Sequence, residues 1–149
     1  MYKMSKLSII DFKETYIEDI VRIEKTSVFS DWNKQMFTDS FFNKNHFFKI
    51  AVHDDKIVGY IIYSVVFDEA EILNIVIDSS FRKKSFGQQL LRYAIEDIKD
   101  KKCLAVFLEV AKKNIIAKNL YLKFGFIEYN VRKNYYKNDD AVLMKKVLS

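Results

Sequence analysis

Arg82, Lys83 and Lys84 stand where a helix should repel them. Before them runs an apolar, β-branched segment, 72–77, closed by Asp78, Ser79 and Ser80, which reads as a buried strand. After them, from Ser85, the residues Phe86, Leu90, Leu91, Ala94, Ile95 and Ile98 repeat at helical spacing, with Gln88, Gln89, Arg92, Glu96 and Asp97 on the other face. The positive end of a helix dipole disfavours cations. A bound anion removes the conflict, because backbone N–H groups, dipole and cations then all point at one negative group. The stretch therefore reads as strand, phosphate-binding turn, helix. Charge runs are more often solvated turns that bind nothing. The preceding strand and the single Gly87 favour the phosphate reading.

Other residues could move protons or shape a site. Glu109 falls at the end of a second buried strand, where a solvated carboxylate is the plainer reading. Tyr121 is flanked by Leu120 and Phe124 on a short helix, a pattern that by itself suggests packing. Asn74 could order a water or simply bridge a strand end. On residue type alone, Phe29 and Trp32 read as core packing more readily than as ligand contacts. Tyr135 and Tyr136 could wall a groove or cover a sheet end. His46 and His53 are isolated, and no Cys, His and carboxylate spacing suggests a metal.

These residues need a scaffold. The segments 7–12, 47–53, 57–67, 72–77, 103–110, 126–132 and 141–147 read as strands, and 15–28, 34–42, 85–98 and 114–124 as helices. Asp54, Asp55 and Lys56 make a hairpin turn, Asp68 to Glu71 an acidic turn, 99–102 a charged turn, and 133–140 a polar and aromatic loop. Gly125 ends the last helix. Strands alternate with helices in the second half, so the expected fold is a single-domain α/β (α+β) unit over 1–149. Its sheet is mixed and mostly antiparallel, with a parallel central pair, 72–77 beside 103–110, flanked by helices. Ligand chemistry then belongs near Ile77 and Asp78 and near Glu109 and Val110.

Composition narrows the partners. The chain has 149 residues, a net charge of +5, no proline, three glycines and one cysteine. One cysteine excludes an internal disulfide framework. No stretch is long and apolar enough to span a membrane, and residues 1–8 lack a signal-peptide core. The expectation is a cytoplasmic protein, a monomer or weak dimer. The positive charge suits an anionic ligand or a ribosome-associated partner. Basic residues are spread along the chain instead of forming one stripe, so direct nucleic-acid binding is not expected.

The order of elements and five segments resemble the GCN5-related N-acetyltransferase (GNAT) family over nearly the whole chain. The segments are DEAEILNIVID at 68–78, RKKSFG at 82–87, LEVAKKN at 108–114, LYLKFGF at 120–126 and VRKNYY at 131–136. Within the family the chain looks like the RimI-type ribosomal-protein-alanine N-acetyltransferases of bacteria. Ser85 replaces the first glycine of the family's turn, and the usual proline before Trp32 is absent.

The resemblance implies acetyl-coenzyme A as donor. Its pyrophosphate would meet Arg82, Lys83, Lys84, Ser85, Phe86, Gly87 and Gln88. Its pantetheine arm would pair with Ile75, Val76 and Ile77 and touch Asn114 and Tyr121. It also implies Glu109 as general base and Tyr121 as general acid. Phe29, Trp32, Asp68, Glu69, Asn74, Tyr135 and Tyr136 would then face the acceptor, a protein N-terminus. The expected acceptor is the alanine N-terminus of small-subunit ribosomal protein eighteen. Alternatives are another N-terminus, a lysine, a small amine, or a non-catalytic RNA- or ribosome-binding module.

Overall fold

Asp54 and Asp55 take φ values of 49° and 62° and turn the chain where glycine would usually be needed. They join strand β2 (His46–His53) to β3 (Lys56–Val66). Around this hairpin the computed structural model, which describes residues 6–136 and 138–148, builds a seven-stranded sheet. The other strands are β1 (Ser8–Asp11), β4 (Glu69–Ile77), β5 (Ala105–Ala111), β6 (Ile127–Tyr136) and β7 (Asp139–Val147). Their spatial order is β1-β2-β3-β4-β5-β7-β6. Every neighbouring pair is antiparallel except β4 and β5, which run parallel.

Alternation along the strands loads both faces with apolar residues, so both must be covered. Helix α3 (Phe86–Asp100) buries Leu90, Leu91, Ala94, Ile95 and Ile98 on one face, with Ile61, Tyr63 and Ile72 in the same cluster. Helices α1 (Ile17–Glu24) and α2 (Lys34–Phe42) cover part of the other face, where Ile20, Ile23 and Phe37 meet Phe48, Tyr60 and Ile62. Helix α4 (Ile115–Lys123) follows β5 directly. Asparagines start α2 and α4. Asn33 Oδ1 accepts from Met36 N–H at 2.8 Å, and Asn114 Oδ1 from Ala117 N–H at 3.3 Å.

The feature that makes a site is the parallel pair. β4 and β5 are in register only from Glu69 beside Ala105 to Ile72 beside Leu108. β4 then continues against β3 to Ile77, while β5 stays with β7 to Ala111. A register shift between Ile62 and Tyr63 gives β4 an extra residue at this point, which bends the strand. The two strands part, and a gap opens between them.

Several elements differ from the sequence expectation. The acidic stretch is a turn only at Phe67 and Asp68, because Glu69 and Glu71 alternate with buried Ala70 and Ile72 and belong to β4. The expected loop 133–140 is largely strand: β6 reaches Tyr136 and β7 begins at Asp139, so Tyr135 and Tyr136 are strand residues. Lys137 and residues 1–5 lie outside the described residues. The first helix is shorter, with a 3-10 turn at Glu14–Tyr16 before α1 and a bonded turn after it. Lys99 and Asp100 extend α3, and β5 starts at Ala105. Gly125 has φ of 92° after α4, as expected. No helix among the described residues is long and apolar enough to cross a membrane.

Gly59 locks β3 to β4. A Cβ there would stand 2.7 Å from the Val76 carbonyl oxygen and 2.6 Å from Ile77 Cδ1. The oxygen is ladder backbone and has no room to retreat. Gly59→Ala is expected to cost about 1–3 kcal/mol, read as a lower urea midpoint at unchanged slope. An unchanged midpoint would show that the β3–β4 ladder yields at no cost.

Candidate active site

The basic turn is built from both sides. Asp78 ends β4, is buried, and caps the 3-10 turn Ser79–Phe81 by accepting from Ser80 N–H at 3.0 Å. Arg22 of α1 reaches its other oxygen at 3.1 Å. Arg82 does not point freely into solvent. Its guanidinium donates to the carbonyls of Ile77 at 3.2 Å and Thr26 at 3.1 Å, tying the turn to the segment after α1. Lys83 and Lys84 are exposed.

Lys83 and Ser85 both have φ of 64°. The first helical bond of α3 runs from Gln89 N–H to the Ser85 carbonyl at 3.0 Å. The N–H groups of Phe86, Gly87 and Gln88 therefore precede the ladder and suit an anion. The Phe86 ring is buried near His53, so only its backbone serves this role. A Cβ at Gly87 would lie 3.8 Å from Ile77 and Leu120, an ordinary contact, so protein packing does not require glycine there. Gln88 accepts from Lys123 of α4 at 3.1 Å and holds the two helices together.

The gap between β4 and β5 is a cavity of about 410 Å³. Ile75, Glu109, Asn114, Tyr121, Tyr135 and Tyr136 all line it, as do Phe29, Trp32 and Asn74. Val76 is buried on the α1 and α2 face instead. Tyr121 is buried, and that burial, helped by Tyr136, raises its hydroxyl above the usual tyrosine range. It therefore carries its proton at neutral pH. Asn114 Oδ1 accepts in the α4 cap, and its amide nitrogen supplies a donor for a ligand. Glu109 accepts from Arg132 of β6 at 3.3 Å. Arg132 also lies over the Tyr135 ring, 5.3 Å from its centroid.

The opposite wall rests on a residue that sequence reasoning passed over. Glu24 is a buried carboxylate at the end of α1. It accepts from Ser30 Oγ at 2.8 Å, from Trp32 N–H at 2.9 Å and from the Tyr60 hydroxyl. Asn74 Nδ2 donates to Ser30 Oγ at 3.0 Å and to Tyr60 OH at 2.9 Å. Asn74 thus bridges the strand to the loop between α1 and α2. Trp32 both packs on Phe37, with centroids 5.3 Å apart, and lines the cavity. The signal for Glu24 was present: it sits four residues after Ile20, on the apolar face of the helix.

A second cavity of about 430 Å³ adjoins the first and contains Asp68, Glu69, Tyr129 and Arg132. Glu71 lines both cavities, and it too was absent from the expected site. Burial first, and then the like charge of Glu109, raises its carboxyl above the usual range, while Arg132 opposes the rise. The signal was the alternation Glu69, Ala70, Glu71, Ile72, which has the period of a strand and puts both acids on one face. No cluster able to hold a metal ion occurs among the described residues.

A model of the acetyltransferase (GNAT) family matches residues 14–126. A Bacillus subtilis (strain 168) protein, provisionally named a ribosomal protein bS18-alanine N-acetyltransferase, is 32% identical over 94% of this chain and 95% of its own. The crystal structure of the ribosomal-protein-S18-alanine N-acetyltransferase from Escherichia coli superposes with a TM-score of 0.90 at 26% identity, covering 97% of this chain and 95% of that one. An N-acetyltransferase from Thermoplasma acidophilum, solved in complex with coenzyme A, shares the fold with a TM-score of 0.81 at 20% identity, over 96% of this chain and 99% of its own.

The Glu24 network makes a stability prediction. Gln at this position keeps the shape but removes the charge from a set of donors that all converge on it. Hydrogen bonds to a charged group contribute about 1.5–3 kcal/mol, so Glu24→Gln should lower stability by about 2 kcal/mol. Trp32 is the chain's one tryptophan. Its emission should move to the red as the loop loosens. Unchanged stability and emission would show that the charge of Glu24 holds nothing.

Proposed function

This chain belongs to the acetyltransferase (GNAT) family, and we propose that it acetylates the N-terminal alanine of ribosomal protein bS18. It is an acetyl-coenzyme A-dependent N-acetyltransferase. One observation carries the mechanistic reading: Tyr121 and Glu109 line the same gap between the parted strands, with Tyr121 holding its proton.

The basic turn fits the anionic part of the donor. The N–H groups at the start of α3 take the pyrophosphate, and Lys83 and Lys84 add charge. Arg82 braces the turn through its carbonyl contacts. The gap along Leu73, Asn74 and Ile75 suits the amides of the pantetheine arm, and in this reading the thioester lies near Glu109 and Tyr121.

Acetyl transfer then needs two proton movements. The α-ammonium of the acceptor gives a proton to Glu109, directly or through one water, and becomes nucleophilic. An α-amino group has a pKa near 8, against about 10.4 for lysine, so a modest base is enough. The amine nitrogen attacks the thioester carbonyl carbon, and the C–S bond breaks as the carbonyl reforms. Tyr121 gives its proton to the departing thiolate. The new amide sheds its extra proton to solvent, Glu109 releases the proton it took, and Tyr121 is reprotonated, so one proton leaves per acetyl group transferred. Phe29, Trp32, Tyr135 and Tyr136 wall the acceptor's entry. Asp68 and Glu69, in the adjoining cavity, attract cationic residues that follow the alanine, with about 1 kcal/mol or less per exposed pair.

The direct test is a panel of peptides incubated with acetyl-coenzyme A, the acetyl group being located by mass spectrometry. The bS18 N-terminal peptide should be modified on its α-amine, faster than a version whose basic residues are neutralised. Modification confined to lysine side chains or to small amines would sink the N-terminal reading. A second expectation concerns the acid. Tyr121→Phe should lower kcat on the order of 10²-fold and change KM for either substrate far less, because the proton matters only as the thiolate forms. A near-normal kcat in a folded variant would mean that water supplies the proton.

A further inference from the structure

Among the described residues, Glu71 and Glu109 alone line both cavities. They form the neck between the gap and the adjoining groove. Register explains why they meet. Glu71 pairs with Phe107 across the parallel ladder, and Glu109 follows Phe107 by two residues, so both carboxylates project from the same face of the sheet. The α1 and α2 helices cover the β2 and β3 side of that face and leave the neck open. One cation is already in place, the Arg132 guanidinium on Glu109 at 3.3 Å. Two carboxylates and one guanidinium leave the neck with one negative charge unbalanced.

We infer that Glu71 is a binding residue for the acceptor's α-ammonium, which it holds together with Glu109 at the neck between the two cavities. The inference rests on the reading of this chain as an N-terminal acetyltransferase and adds a residue to it. An ammonium supplies the missing positive charge, and it fits between two acceptor-only groups because it carries three donors. Arg132 sets how many cations the neck can take. Arg132 bonds Glu109 directly and acts on Glu71 only through space, so Glu71 is the less compensated carboxylate. Its raised pKa has the same cause, burial beside a like charge, and a bound ammonium relieves it. The role is specificity for a charged amine. Proton removal stays with Glu109.

The test separates charge reading from folding and from chemistry. The full chain is saturated with coenzyme A, which cannot transfer an acetyl group. Calorimetry then measures the affinity of an alanine-initiated peptide with a free α-amine, and of its desamino analogue, which lacks only the nitrogen. The unaltered chain should prefer the free amine. In Glu71→Gln that preference should shrink about fivefold, with desamino binding unchanged, and the difference between the two proteins should narrow as salt is added. Equal loss for both peptides would assign Glu71 to the structure of the strand and overturn the inference. No preference in the unaltered chain, or the same preference in both proteins, would overturn it too. Acetylation of the free-amine peptide by the unaltered chain is followed in parallel with acetyl-coenzyme A. A Glu71-dependent preference without acetylation would support Glu71 and sink the substrate reading. Acetylation without that preference would do the reverse.

Discussion

Everything in the site depends on where β4 stops pairing with β5. A parallel ladder that continued past Ile72 and Leu108 would close the sheet and leave no gap. Each strand can leave the other without loss of support, since β4 remains on β3 through Ile77 and β5 on β7 through Ala111. The extra residue in β4 falls where the pairing ends, so one bulge both bends the strand and ends the ladder. The edge of β4 at Leu73, Asn74 and Ile75 then lines the cavity. Backbone N–H and C=O groups held away from water need partners. An extended chain carrying amides, such as the pantetheine arm, supplies them as an added strand would.

Charges of opposite sign gather at two different places in the fold. The turn before α3 carries exposed Lys83 and Lys84 and the leading N–H groups of the helix. The neck of the gap carries Glu71 and Glu109. An anionic donor is drawn to the first and repelled by the second, and an ammonium behaves in the opposite way. The overall charge of +5 conceals this division, because it sums a basic exterior with an acidic neck. Arg132 keeps the two carboxylates from facing each other unopposed.

Much of this was legible in the chain. Apolar periodicity located the strands and the long α3, and the parallel pair followed from strands alternating with helices. The turn was legible because three cations at a helix start need an explanation. Boundaries failed where charge was mistaken for exposure. Glu69 and Glu71 are acidic, yet every second residue is buried, so they are strand. The 133–140 segment is polar because β6 is an edge strand with an open face. Glu24 was hidden for a related reason. A lone carboxylate on an apolar helix face looks like an exception until its donors are known, and those donors come from 30, 32 and 60, which only the fold brings together. Arg82 was legible as a cation but not as a brace, because its acceptors are backbone carbonyls and leave no mark on the sequence.

Ser85 shows how a departure from the resembled family is accommodated. A left-handed conformation costs a residue with a Cβ about 1 kcal/mol, and Lys83 and Ser85 both adopt it within one short turn. Neighbours hold them there. Arg82 ties the turn to two carbonyls, Asp78 caps its start under an ion pair with Arg22, and the buried Phe86 ring anchors its end. The serine also makes a contact that glycine cannot, accepting from Gln89 Nε2 at 3.1 Å. A hydrogen bond of that kind contributes about 0.5–1.5 kcal/mol, which is comparable to the backbone cost. Loss of the glycine therefore exchanges one small energy for another, and the helix N-terminus still presents the same three N–H groups to an anion.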